Sequence, residues 1–146
     1  IDQYNFYHTD SPKKTIYKIK INKNNKIVSK KIFKKLSPKE GAPDGMTLDK
    51  NKNLWVAHFH GACISVFNNK AKLIHRIRFP AKNITNCAFG GKNTNELYVS
   101  TATKGMNKAD LQKFRYSGFF FSVKTNVKGI LQKKFILNNE EKRSLL

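Results

Sequence analysis

The sequence predicts an all-β fold made of repeated antiparallel sheets, and three observations support this prediction. Short β-rich runs alternate with turns of Asn, Lys and Gly along the 146-residue chain. Helical periodicity is weak almost everywhere. Similar strand sequences recur at roughly 40 to 50 residues, the period of the four-stranded blades of a β-propeller.

The repeat is clearest in "FYHT" from Phe6, "LWVA" from Leu54 and "LYVS" from Leu97, which start 48 and 43 residues apart. "IYKI" from Ile16 likewise precedes "ISVF" by 48 residues, and "FFFSV" from Phe119 supplies the same element in the third unit. About three units are visible, whereas a propeller typically has about four to eight blades. The sequence therefore predicts the C-terminal half of a larger propeller. The alternative is a short chain that self-associates through its exposed blade faces.

Eleven strands are predicted from these units. They are Asn5–Thr9, Thr15–Ile21, Lys26–Phe33, Gly45–Leu48, Leu54–His58, Cys63–Phe67, Leu73–Phe79, Cys87–Phe89, Leu97–Thr101, Gly118–Val123 and Lys133–Leu137. One helical turn is predicted over Asn107–Phe114, where Asn107 is a favourable N-cap. Residues 1–137 are thus predicted to form a partial propeller with an incomplete first blade, and residues 138–146 a C-terminal tail.

The net charge of +20 first suggests nucleic-acid binding. However, arginine occurs only at Arg76, Arg78, Arg115 and Arg143, and the lysines are scattered over turns and strand faces. Nucleic-acid recognition usually requires arginine forks in a defined patch, so we expect a solvated surface and no nucleic-acid partner. No apolar run is long enough to cross a membrane.

The two cysteines, Cys63 and Cys87, do not form a CxxC pair and lie on predicted strands. They are predicted to be buried apolar residues of a reduced, cytoplasmic protein. His58 and His60 would share one face of a regular strand and could bind a metal, but a strand-end or turn role is favoured.

Asp44 is the candidate functional residue, because it stands just before the predicted inner strand "GMTLD". Inner strands of a propeller line its central channel. Aligning Asp44 with Asn86 of the next unit places a carboxylate and an amide at the same channel mouth, where oxygen ligands suit a hard cation. Asp before Gly is also common in turns, and spacing alone favours this second interpretation of Asp44. Asn86 remains a candidate site-lining residue.

Several motifs occur in an order and spacing that resemble the senescence marker protein/regucalcin and gluconolactonase family. They are "FYHTDS", "PDGMTLDKNKNLWVA", "ACISVF", "ITNCAFGGKNTNELYVSTA", "SGFFFSV" and "VKGI", which together span about Asn5 to Ile130. The resemblance implies a six-bladed propeller, of which this chain forms about the last three blades. It also implies hydrolysis of a small-molecule sugar lactone with one divalent cation, Ca²⁺, Zn²⁺ or Mn²⁺, at the channel mouth.

Asp44 matches the family's "PDG" aspartate, which is a cation ligand and the proposed proton acceptor and donor. The resemblance places the family's other ligands, a glutamate and the asparagine of an "NG" turn, before Ile1, together with the residues that contact substrate. No substrate-binding residue is therefore predicted in this chain, and the chain alone is expected to be inactive. The alternative is a non-catalytic propeller that serves as a binding or scaffold module.

Overall fold

Three antiparallel sheets follow one another along the computed structural model, which describes residues 2–130. The first sheet contains β1 (Asn5–Asp10), β2 (Thr15–Ile21) and β3 (Ile27–Lys35). The middle sheet contains β4 (Ala42–Leu48), β5 (Leu54–Phe59), β6 (Cys63–Phe67) and β7 (Leu73–Arg78). The third contains β8 (Asn83–Gly90), β9 (Glu96–Ala102) and β10 (Phe121–Lys124). Strands adjacent in sequence are adjacent in each sheet, which is the meander expected of propeller blades.

The all-β prediction is confirmed, and β2 and β6 have the predicted bounds. Five strand starts differ, those of β3 and β9 by one residue each and those of β4, β8 and β10 by more. β4 begins at Ala42 and β8 at Asn83, before the predicted starts, because both strands extend across a β-bulge. β10 begins at Phe121 rather than Gly118, because Gly118 belongs to a turn and pairing with β9 starts only at Phe121. The predicted strand Lys133–Leu137 and the predicted tail lie outside the described residues.

Two apolar clusters hold the sheets together, one on each side of the middle sheet. Successive side chains of a strand point to opposite faces, and β5 uses both faces. Leu54 and Val56 pack in the cluster shared with the first sheet, while Trp55 and Ala57 pack in the cluster shared with the third. This double burial explains why "LWVA" is apolar throughout.

The same packing confirms the repeat between "LWVA" and "LYVS". Leu97 and Val99 of β9 lie in the cluster that faces the middle sheet, just as Leu54 and Val56 of β5 face the first sheet. These pairs occupy equivalent positions in consecutive sheets.

The segment between β9 and β10 contains a short helix, α1 (Lys108–Lys113). Asn107 caps it as predicted, accepting a 2.8 Å hydrogen bond from the Asp110 backbone N–H. Lys82, just before β8, holds this segment against the third sheet through a 2.5 Å ion pair with Asp110. Within residues 2–130, no helix is long and apolar enough to span a bilayer.

Candidate functional site

Asp44 lies in a β-bulge rather than in a turn before the strand. Pro43 pairs with His58, and regular pairing resumes only at Met46 and Val56, so two residues of β4 oppose one of β5. Bulges accept proline, which cannot donate to the ladder, and they re-aim the side chains of the extra residues. The bulge therefore holds Asp44 half-buried and outside both apolar clusters.

The bulge is held by contacts from both neighbouring sheets. On one side, the Ser11 hydroxyl, in the turn after β1, donates a 2.7 Å hydrogen bond to the Pro43 carbonyl oxygen. On the other side, a Cβ atom at Gly45 would lie 2.7 Å from the Asn86 Cα and 2.1 Å from its Oδ1. Real Cβ atoms do not approach other atoms so closely, so β4 and β8 can meet here only because residue 45 is glycine.

The third sheet has a matching bulge in β8. Ile84 pairs with Thr101 and Asn86 with Ser100, so Thr85 is the extra residue. The Thr85 and Ser100 hydroxyls lie 2.8 Å apart in a hydrogen bond. Asn86 is exposed, and its Oδ1 accepts a 2.8 Å bond from the Cys87 backbone N–H.

The strand registers correct the alignment of Asp44 with Asn86. Met46 pairs with Val56, and Cys87 pairs with Val99, the residue equivalent to Val56. Cys87 is thus the counterpart of Met46, and counting back two residues makes Thr85 the counterpart of Asp44. Asn86 corresponds instead to Gly45, which it touches across the sheet interface. The alignment of Asp44 with Asn86 was wrong by one residue, because no sequence feature marks the position of the bulge.

The segment that leads into β4 is fixed by a dense polar cluster. The Glu40 carboxylate accepts hydrogen bonds from the Ser37 N–H (2.9 Å) and hydroxyl (3.0 Å) and pairs with Arg76 at 2.6 Å. Burial alone would raise the pKa of Glu40. The Ser37 and Arg76 hydrogen bonds and the Arg76 charge outweigh burial and lower that pKa to about 2.

His58 belongs to this structural cluster. Its Nδ1 lies 2.7 Å from the Glu40 carbonyl oxygen and donates to it, while Nε2 is buried without a partner among the described residues. Burial lowers the pKa of His58, so the ring is neutral. His60 lies beyond the end of β5 with a φ of 63°. His58 therefore lies near the end of β5 and His60 in the turn that follows, the positions predicted for the two histidines.

Among residues 2–130, no cationic side chain compensates the Asp44 carboxylate. It makes no ion pair with any residue between 2 and 130, although the chain carries a net charge of +20. Burial raises its pKa, and a hydrogen bond from the Gly45 backbone opposes this rise. A half-buried carboxylate oxygen without a cationic partner fits one ligand position of a hard cation. It is not a complete site, because the described part of the chain has no group of three His, Cys, Asp or Glu able to hold a metal.

Asp49, at the other end of β4, has a structural role. Its buried carboxylate accepts hydrogen bonds from the Asn53 backbone and side chain and from the Trp55 indole N–H at 3.0 Å. It borders a cavity of about 460 Å³ between the middle and third sheets, lined also by Ile77 and Val123. Cys63 and Cys87 are buried free thiols, as predicted.

The family model of the SMP-30/gluconolactonase/LRE-like region matches residues 1–103 of the sequence. The chain belongs to this family. Its relatives include the regucalcin of Danio rerio, which is 36% identical over 71% of this chain and 36% of its own length. The pentonolactonase XacC of Haloferax volcanii is 31% identical over 69% of the chain and 35% of its own length.

Among solved members with this fold, the calcium-binding regucalcin of Agrobacterium tumefaciens superposes with a TM-score of 0.83. It is 20% identical, and the match covers 93% of this chain and 47% of that one. The chain thus spans less than half the length of these SMP-30/gluconolactonase relatives. The family resemblance predicted from "PDGM", "LWVA" and "CAFGG" is confirmed.

Proposed function

We propose that this chain forms the last three blades of a six-bladed sugar lactone hydrolase, with Asp44 as its cation-binding and catalytic carboxylate. The observation that carries the proposal is the uncompensated Asp44 carboxylate, held in a bulge by contacts from both neighbouring sheets. Membership of the gluconolactonase family supports the reaction class, and the Haloferax relative carries the name pentonolactonase.

Asp44 is the residue of this chain that would hold a divalent cation such as Ca²⁺, Zn²⁺ or Mn²⁺. The Agrobacterium regucalcin, described as a calcium-binding protein, supports a cation of this kind. When bound, such a cation polarises a lactone carbonyl and stabilises negative charge on its oxygen. Cation binding also lowers the pKa of a carboxylate, so we expect Asp44 to orient the attacking water more than to store its proton.

The remaining ligands and the substrate contacts are proposed to come from further blades of the same polypeptide. Within the described part of the chain, the outer faces of the first and third sheets are exposed and partly apolar. Ile32 is 64% exposed on the first sheet, and Phe120, just before β10, is 68% exposed. Apolar surfaces of this kind normally mark an interface. A second copy of the chain is the alternative partner for these faces.

Asp44→Asn in the full-length polypeptide tests the proposal. The change keeps the size of the side chain and removes its charge. We expect hydrolysis of gluconolactone, measured by pH-stat with the spontaneous rate subtracted, to fall by about 100-fold or more. Binding of Mn²⁺, followed by electron paramagnetic resonance, should weaken as well, while the β circular-dichroism signal stays unchanged.

Asp2→Asn is the matched control, since Asp2 is exposed near the chain start and forms only local hydrogen bonds. Wild-type rates are expected for it. An Asp44→Asn enzyme that keeps its lactonase activity and Mn²⁺ affinity would overturn the assignment. Activity in wild type that survives removal of divalent cations would overturn the metal dependence alone.

A further inference from the structure

We propose that Asn86 is a substrate-positioning hydrogen-bond donor, which binds an oxygen of a polyhydroxylated lactone through Nδ2 and does not bind the cation. The inference rests on the proposed function of Asp44 and extends it to the substrate. No residue of this chain was assigned to substrate binding by the sequence.

The orientation of the amide supports a donor role. Its Oδ1, the atom that a cation would need, already accepts the 2.8 Å bond from the Cys87 backbone N–H and lies against Gly45. Nδ2 makes no hydrogen bond within the described residues, and Asn86 is exposed. An amide whose oxygen is engaged presents two N–H donors to a ligand. Such donors match hydroxyl, ring and carbonyl oxygens.

The location supports a role in the same site. Asn86 touches Gly45, the residue directly after Asp44, across the interface between β4 and β8. A lactone bound at Asp44 would lie beside this interface, and the proposal places one of its oxygens within reach of Asn86.

The side chains that flank Asn86 on β8 and β9 are uncharged, which suits a neutral, hydroxyl-rich ligand. Asn86 pairs with Ser100, whose hydroxyl bonds that of Thr85 at 2.8 Å. β8 has no charged residue, and the one charged residue of β9, Glu96, lies at the far end of that strand and accepts from the Tyr98 hydroxyl. A few neutral polar groups of this kind are typical of specificity contacts to uncharged oxygens.

Two lactones separate the proposal from its alternatives. Gluconolactone carries hydroxyls on its ring, whereas δ-valerolactone has the same ring without them. In Asn86→Ala, we expect the KM for gluconolactone to rise about 5- to 10-fold, the loss of one or two neutral hydrogen bonds. We expect kcat to change less than about 2-fold, and the KM for δ-valerolactone to stay near wild type. If δ-valerolactone is not hydrolysed, its inhibition constant replaces its KM.

Mn²⁺ affinity is the second readout, and Asn126→Ala is the matched control because Asn126 is an exposed asparagine after β10. Unchanged Mn²⁺ binding in Asn86→Ala is expected, and weakened binding would make Asn86 a cation ligand and overturn the proposal. Equal effects on both lactones, or none, would also overturn it. Should Asn86→Ala unfold, Asn86→Asp keeps the oxygen that accepts from Cys87 and replaces the Nδ2 donor with an acceptor, and it is expected to show the same selective rise in KM. Failure of Asp44→Asn to lose activity would instead refute the proposed function.

Discussion

Glu40→Gln is expected to remove a large part of the protein's acid sensitivity. In the folded chain the pKa of Glu40 is about 2, against 4.5 for an unperturbed side chain. The folded-state pKa is the lower of the two, so ionised Glu40 stabilises the fold fully above about pH 5. That contribution is lost as the pH falls from about 5 toward 2. Gln keeps the volume of Glu and can still accept the Ser37 hydrogen bonds through its amide oxygen, so the variant removes the charge together with the Arg76 hydrogen bond.

The magnitude follows from the pKa difference. A shift from 4.5 to about 2 corresponds to about 3 kcal/mol of unfolding free energy at neutral pH. The Glu40 side chain is 27% exposed, and solvent screens its pair with Arg76. We therefore expect Glu40→Gln to destabilise the protein by about 2 kcal/mol at pH 7 and by nearly nothing at pH 2.

Urea denaturation of both proteins at several pH values between 7 and 2 measures this difference. Other carboxylates with lowered pKa values, such as Asp2 and Asp110, cancel in the comparison. Glu96→Gln is the matched control, because its carboxylate bonds the Tyr98 hydroxyl and makes no ion pair among the described residues. A loss of stability in Glu40→Gln that is the same at pH 7 and pH 3 would refute the electrostatic explanation.

Two further predictions concern the sheet interface and the thiols. Gly45→Ala should lower the unfolding free energy by about 1–3 kcal/mol, because the new methyl group would collide with the Asn86 backbone. A Gly45→Ala variant as stable as wild type would show that β4 and β8 are not in close contact. Burial raises the pKa of Cys87 to about 12 and also raises that of Cys63, so neither thiol should react with Ellman's reagent at pH 8 until guanidinium unfolds the chain. Rapid labelling of the native protein would contradict this burial.

The repeats predicted the sheets well, because strand periodicity and turn residues are local signals. "CISVF" lies in the middle of a sheet, and its bounds were exact at Cys63–Phe67. "FFFSV" shows the limit of such signals. Phe121 packs against Phe79 in the core, whereas Phe119 and Phe120 are 59% and 68% exposed. All three residues are phenylalanine, so their sequence cannot distinguish them. What distinguishes them is the residue at which the segment between β9 and β10 joins the third sheet.

Within the candidate site, the sequence identified Asp44 but not the bulge that holds it. Pro43 and Asp44 look like turn residues, and only the pairing of β4 with β5 shows them inside a strand. The same difficulty shifted the alignment of the third sheet by one residue. The contact from Ser11 was also missed, because it joins residues 32 positions apart and depends on how two sheets meet. The motif "FYHTDS" could have indicated this contact, because its serine, Ser11, directly follows the strand that repeats "LWVA".

The equivalence of Asp44 and Thr85 has a consequence for how such a protein changes over time. Both residues occupy the same niche in successive sheets, and neither belongs to an apolar cluster. The first position holds the carboxylate of Asp44 and the second the hydroxyl of Thr85, and neither side chain is part of the apolar packing. Successive sheets thus offer equivalent positions at which reactive side chains can be exchanged one at a time. The stability of the fold depends on other residues, those of the apolar clusters.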